Sequence, residues 1–335
     1  MTYTPEYMLE TPEAHGLMDV DVLSDALDMV RLSGALVFRV DIRGPWGIAG
    51  DPALNKFASV LPAGSNHIIV LHIVISGECW VRHASCGWFR MPRGHAVVLA
   101  HGDRHDLADR RGRPTIPFTK MLDGRPVVKL RHERFETGTG ETTGILCGIL
   151  GCDRSSFEPL CSSLPALFTV ALDERANQLT RYAANEAVEA CPGADSLRVR
   201  MAELLFMETL RLYMQDLPSD ATGLLAGLRD PLIVHALRAL HKAPQKPWSV
   251  ESLAACTHTS RSSLAERFRE VIGEPPMHYL TRLRMHRAGR YLNERTWPVD
   301  QVADEVGYES SAAFQRAFKR HFGVPPAAWR RAARR

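Results

Sequence analysis

The chain has no C-x-x-C pair, the spacing that marks a zinc module or a dithiol centre. Its seven cysteines are an odd number, which does not suit the paired framework of a small secreted fold. That usage points to a reducing cytosol in which the thiols act as small core residues. Cys79 with Cys86, or Cys147 with Cys152, remain as redox pairs by closeness in sequence. Long apolar runs are missing too. The longest, Ile68 to Ile75, is broken by His72 and falls well short of the ~18 residues a membrane span requires. No N-terminal stretch joins basic residues to an apolar segment and a cleavage site, so a cytoplasmic protein with no membrane partner is expected.

What is present divides unevenly. A chain of 335 residues exceeds the ~100–200 of one ordinary domain, so two are expected. The net charge of +3 conceals an asymmetry: from Arg229 onward there are 19 Lys or Arg against 10 Asp or Glu, whereas residues 1–228 carry 22 against 28. The C-terminal part therefore suits a polyanion and the N-terminal part does not.

Short β-like runs occupy residues 35–150: Ala35 to Ile42, His67 to Ile75, Cys79 to His83, His95 to Leu99, Val127 to Phe135 and Ile145 to Leu150. Gly, Pro and Asp clusters separate them, which fits a small barrel or a sandwich. A helix-like opening, Val20 to Leu32, precedes them. Two helices follow at Asp173 to Ala190 and Asp195 to Gln215. In the second, Leu197, Met201, Leu204, Leu205 and Leu212 make a stripe that packs against its own domain or against a second copy. Residues 216–228, with Pro218 and two glycines, read as a linker.

The C-terminal region contains a repeat at an offset of 50 residues. Ser260, Leu264, Phe268, Arg269, Gly273 and Pro276 recur as Ser310, Phe314, Phe318, Lys319, Gly323 and Pro326. Each half makes physical sense: the serines cap helix starts, the apolar residues four apart share a buried face, and the glycines with their prolines end the helix. A shorter helix precedes each, Val250 to Cys256 and Val299 to Val306, with tight turns at Thr257 to Thr259 and Gly307 to Glu309. Short helix, turn and second helix make a helix-turn-helix. A long helix from Met277 to Glu294 joins the two units at a fixed separation.

At 100° per residue, the face opposite Leu264 and Phe268 carries Ser262, Glu266 and Arg269, with Ala265 beside them; opposite Phe314 and Phe318 it carries Ala312, Arg316 and Lys319, with Gln315 beside them. Arg316 suits guanine, Gln315 adenine and the cytosine N4 amino group Glu266. Ser262 is less discriminating. Arg269, Lys319, Arg320 and the tail residues Arg330, Arg331, Arg334 and Arg335 suit phosphates, which set register and add salt dependence.

The segments SLAACTHTSRSSLAERFREVIGEPPMHYLTRLRMHRAGRYL and QVADEVGYESSAAFQRAFKRHFGVPPAAWRR resemble the two helix-turn-helix halves of the AraC/XylS family of bacterial regulators, over about 100 residues. The resemblance implies double-stranded DNA as partner, RNA polymerase as a second one, transcription activation and no catalysis. The first turn departs from the family pattern: it reads Cys256, Thr257, His258, where Gly and a hydrophobic residue are usual. Its reading helix also offers Ser262, Ala265 and Glu266, a poor set for strong base contacts, so the second half is expected to discriminate more.

A weaker resemblance, to the cupin barrels that precede this unit in many family members, rests on Gly94, Ala100, Gly102 and His105. The usual first-motif donors fall on Ala63, Ser65 and Val70, so the family's metal set is mostly missing and no cofactor is implied; His67, His72, Glu78 and His105 remain as donors for a different site. His72, Trp80, Trp88 and His105 would line a small-molecule effector pocket at the barrel mouth. The expected architecture is α+β: a cupin-like β-barrel sensor at 1–172, a helical pair at 173–215 that can dimerise, a linker at 216–228 and an all-α DNA-binding unit at 229–335. The alternative is a cupin-type metal-dependent, oxygenase-like enzyme with an accessory helical domain. A redox sensor using Cys79 or Cys86 is a variant of the first reading.

Overall fold

The computed structural model describes residues 21–30, 35–52, 57, 61, 65–126, 129–154, 160–161, 163–188 and 192–333. Val127, Cys191, Arg334, Arg335 and the first 20 residues lie outside them.

Eleven strands among the described residues form two mixed sheets. One has the order β11 (Phe168–Ala171), β6 (His95–Leu99), β3 (His67–Ser76), β10 (Thr142–Cys152), β1 (Ala35–Arg43), β9 (His132–Glu136). The other runs β5 (Gly87–Pro92), β4 (Glu78–His83), β7 (His105–Ala108), β2 (Gly47–Gly50), β8 (Ile116–Pro117). Pairing is antiparallel except for β1 with β9 and β2 with β8. A two-turn helix, α1 (Val22–Val30), precedes the strands, and α2 (Phe118–Met121) follows β8.

The run HIIVLHIVIS in β3 lacks alternation because both of its faces are covered. Ile68, Val70 and Val74 join Ile42, Val81, Leu107 and Ile145 in a core between the sheets. Ile69, Leu71 and Ile73 face α3 (Glu174–Val188) and α4 (Ala194–Gln215), which bury Ala183, Ala187, Leu205 and Phe206 against them. Small alanines let α3 lie close to the sheet.

The expected barrel does not form: neither sheet closes on itself. The larger ends at β11 and β9, the smaller at β5 and β8. The alternation in the sequence suits a barrel and a sandwich equally; closure is decided by the edges. Here β2 and β8 are only four and two residues long, too short to carry a ladder round a cylinder, and helices rather than strands cover the outer side of the larger sheet. The α4 stripe likewise serves its own domain. Met201 and Leu205 are buried and Leu197 and Leu212 pack on the same core, leaving Leu204 exposed.

Beyond Gln215 come α5 (Leu224–Arg229), which starts inside the stretch read as a linker and crosses its expected end, then α6 (Pro231–Lys242), α7 (Val250–Cys256), α8 (Arg261–Ile272), α9 (Pro276–Glu294), α10 (Val299–Glu305), α11 (Ser311–Phe322) and α12 (Pro326–Ala333). Asp230 caps α6 by accepting from the Leu232 and Ile233 amides. Two apolar cores follow in sequence. One gathers Leu237, Leu253, Leu264, Phe268 and Leu283; the other Met285, Leu292, Val302, Phe314 and Phe318. The single helix α9 serves both.

α1 does not pack on the strands that follow it alone. Val22 and Ala26 enter the core of α6, α8 and α9. Asp25 accepts from Arg287 at 2.8 Å and from the buried His241. Burial works against the Asp25 charge, but the hydrogen bonds from His241 and Arg287 and the Arg287 charge outweigh it and hold the carboxyl below its usual range.

Candidate DNA interface and ligand cavity

Each second helix of the repeat starts on a serine cap. Ser260 Oγ accepts from the Ser263 amide at 3.1 Å, and Ser310 Oγ from the Ala313 amide at 3.2 Å. Each ends on a left-handed glycine, Gly273 at φ 89° and Gly323 at φ 77°. Leu264, Phe268, Phe314 and Phe318 are fully buried. Ser262, Glu266 and Arg269 are exposed on α8 with Ala265 half-buried, and Ala312, Gln315, Arg316, Lys319 and Arg320 are exposed on α11.

The charges on these faces differ. On the first unit Arg261 pairs with Glu251, and Arg267 with Asp230 and Glu270. On α11, Arg316, Lys319 and Arg320 have no ion-pair partner among the described residues, and neither does Arg331 on α12. Gln315 donates to Ser311 Oγ at 3.2 Å, a weak exposed bond that a base edge can replace. Arg330 is placed differently from its neighbours: half-buried, it donates to the carbonyls of Leu292 and Trp297 and ties α12 to the end of α9. Sequence spacing gave no sign of that anchor.

The turns resolve the departure in the first half. The Thr259 amide donates to Ala254 O at 3.1 Å and the Tyr308 amide to Ala303 O at 2.9 Å, an offset of 49 residues, while the caps stand 50 apart. The first turn is therefore one residue shorter, and His258 at φ 51°, not Thr257, takes the left-handed place that Gly307 holds at φ 83°. Gly307 has a second reason to be glycine: an added Cβ would lie 2.4 Å from Gln245 O. The loop carrying Gln245 is held in turn by Arg284 of α9, which donates to Pro244 O at 2.7 Å and Lys246 O at 2.8 Å. The turn of the second unit thus seats directly on a loop of the first.

In the sheet domain a cavity of about 500 Å³ opens between the sheets, lined by Phe38, Phe57, Phe118, Val70, His72 and His105 among others. Trp80 and Trp88 do not line it. Trp80 sits on the outer side of β4, opposite the buried Cys79 and Val81, and Trp88 packs beneath the Arg82 guanidinium at 5.6 Å. His72 and His105 meet through their Nε2 atoms at 2.9 Å. His105 Nδ1 donates to Asp103 O at 3.0 Å, so its Nε2 accepts from His72, whose Nδ1 then accepts from the Cys147 thiol at 3.2 Å. Every member of this chain is neutral. Burial holds His72 well below its usual value, with the neighbouring His105 adding to the effect; burial lowers His105 and raises the Cys147 thiol. The cavity's charged walls also cancel: Arg82 pairs with Asp106 at 2.5 Å and Arg104 with Asp51 at 3.1 Å.

The four donors singled out in the sequence do not converge. Glu78 is paired with Arg90, and His67 lies on the opposite face of β3 from His72. The cysteine pairs fail for similar reasons. Cys79 and Cys86 stand at opposite ends of the β4 hairpin arm, Cys147 and Cys152 point to opposite faces of β10, and all four are free.

Two capped helices with polar outer faces, each following a short helix and a tight turn and joined by a shared helix, make a tandem helix-turn-helix, a class of fold that binds DNA. Comparison with known proteins is specific. The cupin family profile matches residues 21–215, and that of a helix-turn-helix domain matches residues 253–332. An AraC-like transcription regulator of Streptomyces antibioticus is 33% identical over 93% of this chain and 99% of its own length. Another, of Streptomyces lividans, is 28% identical over 93% and 98%. The RCS-specific activator RclR of Escherichia coli is 30% identical over 78% and 91%. The chain belongs to the AraC-type family of DNA-binding transcription regulators; it is a regulator rather than an enzyme.

Proposed function

We propose that α8 and α11 enter consecutive major grooves on one side of a duplex, which recur about every 34 Å. Arg316 reads guanine, Gln315 adenine and Glu266 a cytosine amino group, with Ser262 as an adaptable contact; Ala265 and Ala312 are small enough to meet thymine methyls. Arg269, Lys319, Arg320 and Arg331 hold phosphates. The observation that carries this assignment is the unpaired cationic face of α11 beside a first unit whose arginines are largely paired. Arg316→Ala is expected to weaken binding by about 1–3 kcal/mol and relax preference at one base pair, whereas Lys319→Ala weakens all sequences alike and lowers the salt slope by about one. Fluorescence anisotropy on specific and random duplexes decides; equal losses for both variants on both duplexes sink the assignment.

The regulator acts as an activator with RNA polymerase as partner, a sign supported by the name of its relative RclR. No helix among the described residues is long and apolar enough to cross a membrane, in keeping with action in the cytoplasm. The inter-sheet cavity takes the effector. Its balanced charges, neutral imidazoles and three phenylalanines suit an uncharged, largely apolar molecule with one or two polar groups. Binding there shifts the population toward the DNA-competent form. A homodimer rests on Leu204, Tyr182 and Val188, large apolar side chains left exposed on α3 and α4; sedimentation tests it.

A further inference from the structure

A second group of donor side chains lies on the other side of the six-stranded sheet. The donor atoms of His67, His101 and Cys161 all fall within 4.8 Å of one another. His67 and Cys161 are buried and His101 is half-buried. His67 is five residues from His72 on β3 and so faces the α3–α4 side, where Cys161 and Leu164 belong to the core. This cluster is therefore separate from the inter-sheet cavity.

The hydrogen bonds around it set the tautomers. His67 Nε2 donates to Ala100 O at 2.7 Å, and His101 Nε2 donates to Leu164 O at 3.3 Å. A carbonyl can only accept, so both rings carry their protons on Nε2 and their lone pairs on Nδ1. The Cys161 thiol meets His101 Nδ1 at 3.1 Å. An imidazole whose far N–H is tied to a backbone carbonyl, with its lone pair turned to a thiol, is the supporting arrangement that metal-ligating histidines use. Two imidazoles and one thiolate suit a thiophilic ion, and Zn–N and Zn–S bonds of about 2.0–2.3 Å ask these donors to close by only a fraction of their spacing.

We infer that His67, His101 and Cys161 bind one zinc-class divalent metal ion, with a fourth position left for water. On binding, Cys161 gives up its proton to solvent and ligates as the thiolate, so that metal uptake releases one proton.

The site is also wired to the DNA-binding part. His101 meets both the Cys161 sulfur and the Leu164 carbonyl. Ser163, next to Leu164, accepts through its Oγ from the Leu224 amide at 2.7 Å, at the start of α5. The preceding Gly223 amide donates to Val271 O at 2.8 Å, in the last turn of α8. Gly223 fits so closely over Ser163 that an added Cβ would lie 2.5 Å from its Oγ. Drawing Cys161 toward a metal therefore pulls on a strap two hydrogen bonds from the first reading helix, and metal occupancy changes DNA affinity.

The test uses the tag-free, full-length chain with Cys86→Ser and Cys256→Ser, which remove the two exposed thiols among the described residues. Co²⁺ titration is expected to give a near-ultraviolet thiolate-to-cobalt band that saturates at one equivalent and is displaced by Zn²⁺. His101→Ala should weaken binding by more than the about 10–100-fold typical of losing a supporting contact, and Cys161→Ser should abolish the band. Circular dichroism checks the fold; should Cys161→Ser not fold, the parent titration and the half-buried His101 decide. No band in the parent, or a band unchanged in His101→Ala, overturns the site. Identical DNA affinity with and without Zn²⁺ overturns the coupling. Because the site lies outside the inter-sheet cavity, failure here leaves the effector proposal standing, and a His105→Phe variant that disables the cavity should still bind cobalt.

Discussion

Replacing Gly307 by alanine probes the seat between the two DNA-reading units without touching a side chain proposed to meet DNA. Two costs add. The residue sits at φ 83°, where a Cβ costs about 1–2 kcal/mol. The same Cβ would stand 2.4 Å from Gln245 O and 2.6 Å from its Cα, both backbone atoms, so the loop must move, an overpacking cost of about 1–3 kcal/mol. Together these predict a loss of roughly 2–5 kcal/mol, a large share of a typical 5–15 kcal/mol of stability. The opposite experiment lies in the first turn. His258 occupies the matching left-handed place at φ 51°, so His258→Gly removes strain and should stabilise by about 1 kcal/mol, less a few tenths for added unfolded-chain entropy. Urea unfolding followed by tryptophan fluorescence reports both, and anisotropy on an intact duplex site reports the consequence: Gly307→Ala should lose affinity because the second head no longer seats on the first. Stability unchanged in Gly307→Ala, or lowered in His258→Gly, refutes the alignment of the two turns.

Acid should weaken the fold early. Burial holds His67, His72, His105 and His241 below their usual value, so the folded chain refuses protons that the unfolded chain accepts. Their contribution is complete above about pH 6.5 and is lost as the pH falls, at up to about 1.4 kcal/mol per pH unit for each fully neutral ring; a melting temperature flat between pH 7 and pH 5 contradicts this. Asp25→Ala should cost about 1–3 kcal/mol, since it strips the partner from the buried His241 and from Arg287. Hydrogen exchange should then rise at least tenfold in α1 and little in the strands, and unchanged protection of α1 means that its apolar contacts hold it alone.

The tandem units were legible because their signals are local. Ser260, Gly273, Ser310 and Gly323 act within one turn of where they stand, and the faces carrying Glu266 and Arg316 follow from helical geometry. What escaped depends on distant partners. Whether β2 and β8 extend a ladder cannot be read from six residues, so the sheets' open edges were hidden behind an alternation that suits a barrel equally well. Trp80 and Trp88 looked like pocket walls by proximity to His72, but the strand parity of β4 turns Trp80 outward. His101 and Cys161 are 60 residues apart and meet only once the sheet is built. The shortened first turn was visible as a missing glycine, yet its true cause, a 49-residue offset before a 50-residue one, needed the backbone hydrogen bonds.

The contact between Asp25 and Arg287 spans 262 residues. At a translation rate of about 5–20 residues per second, the ribosome completes α1 on the order of 10–50 s before α9 emerges to receive it. Through that interval Leu23 and Leu27 can already pack on the sheet domain, while Val22, Ala26 and Asp25 wait for the part of their core that α9 supplies. The bond of Arg287 to Asp25 is thus among the last ties to close between the leading helix and the C-terminal part, and a chain truncated before α9 would leave Asp25 without it.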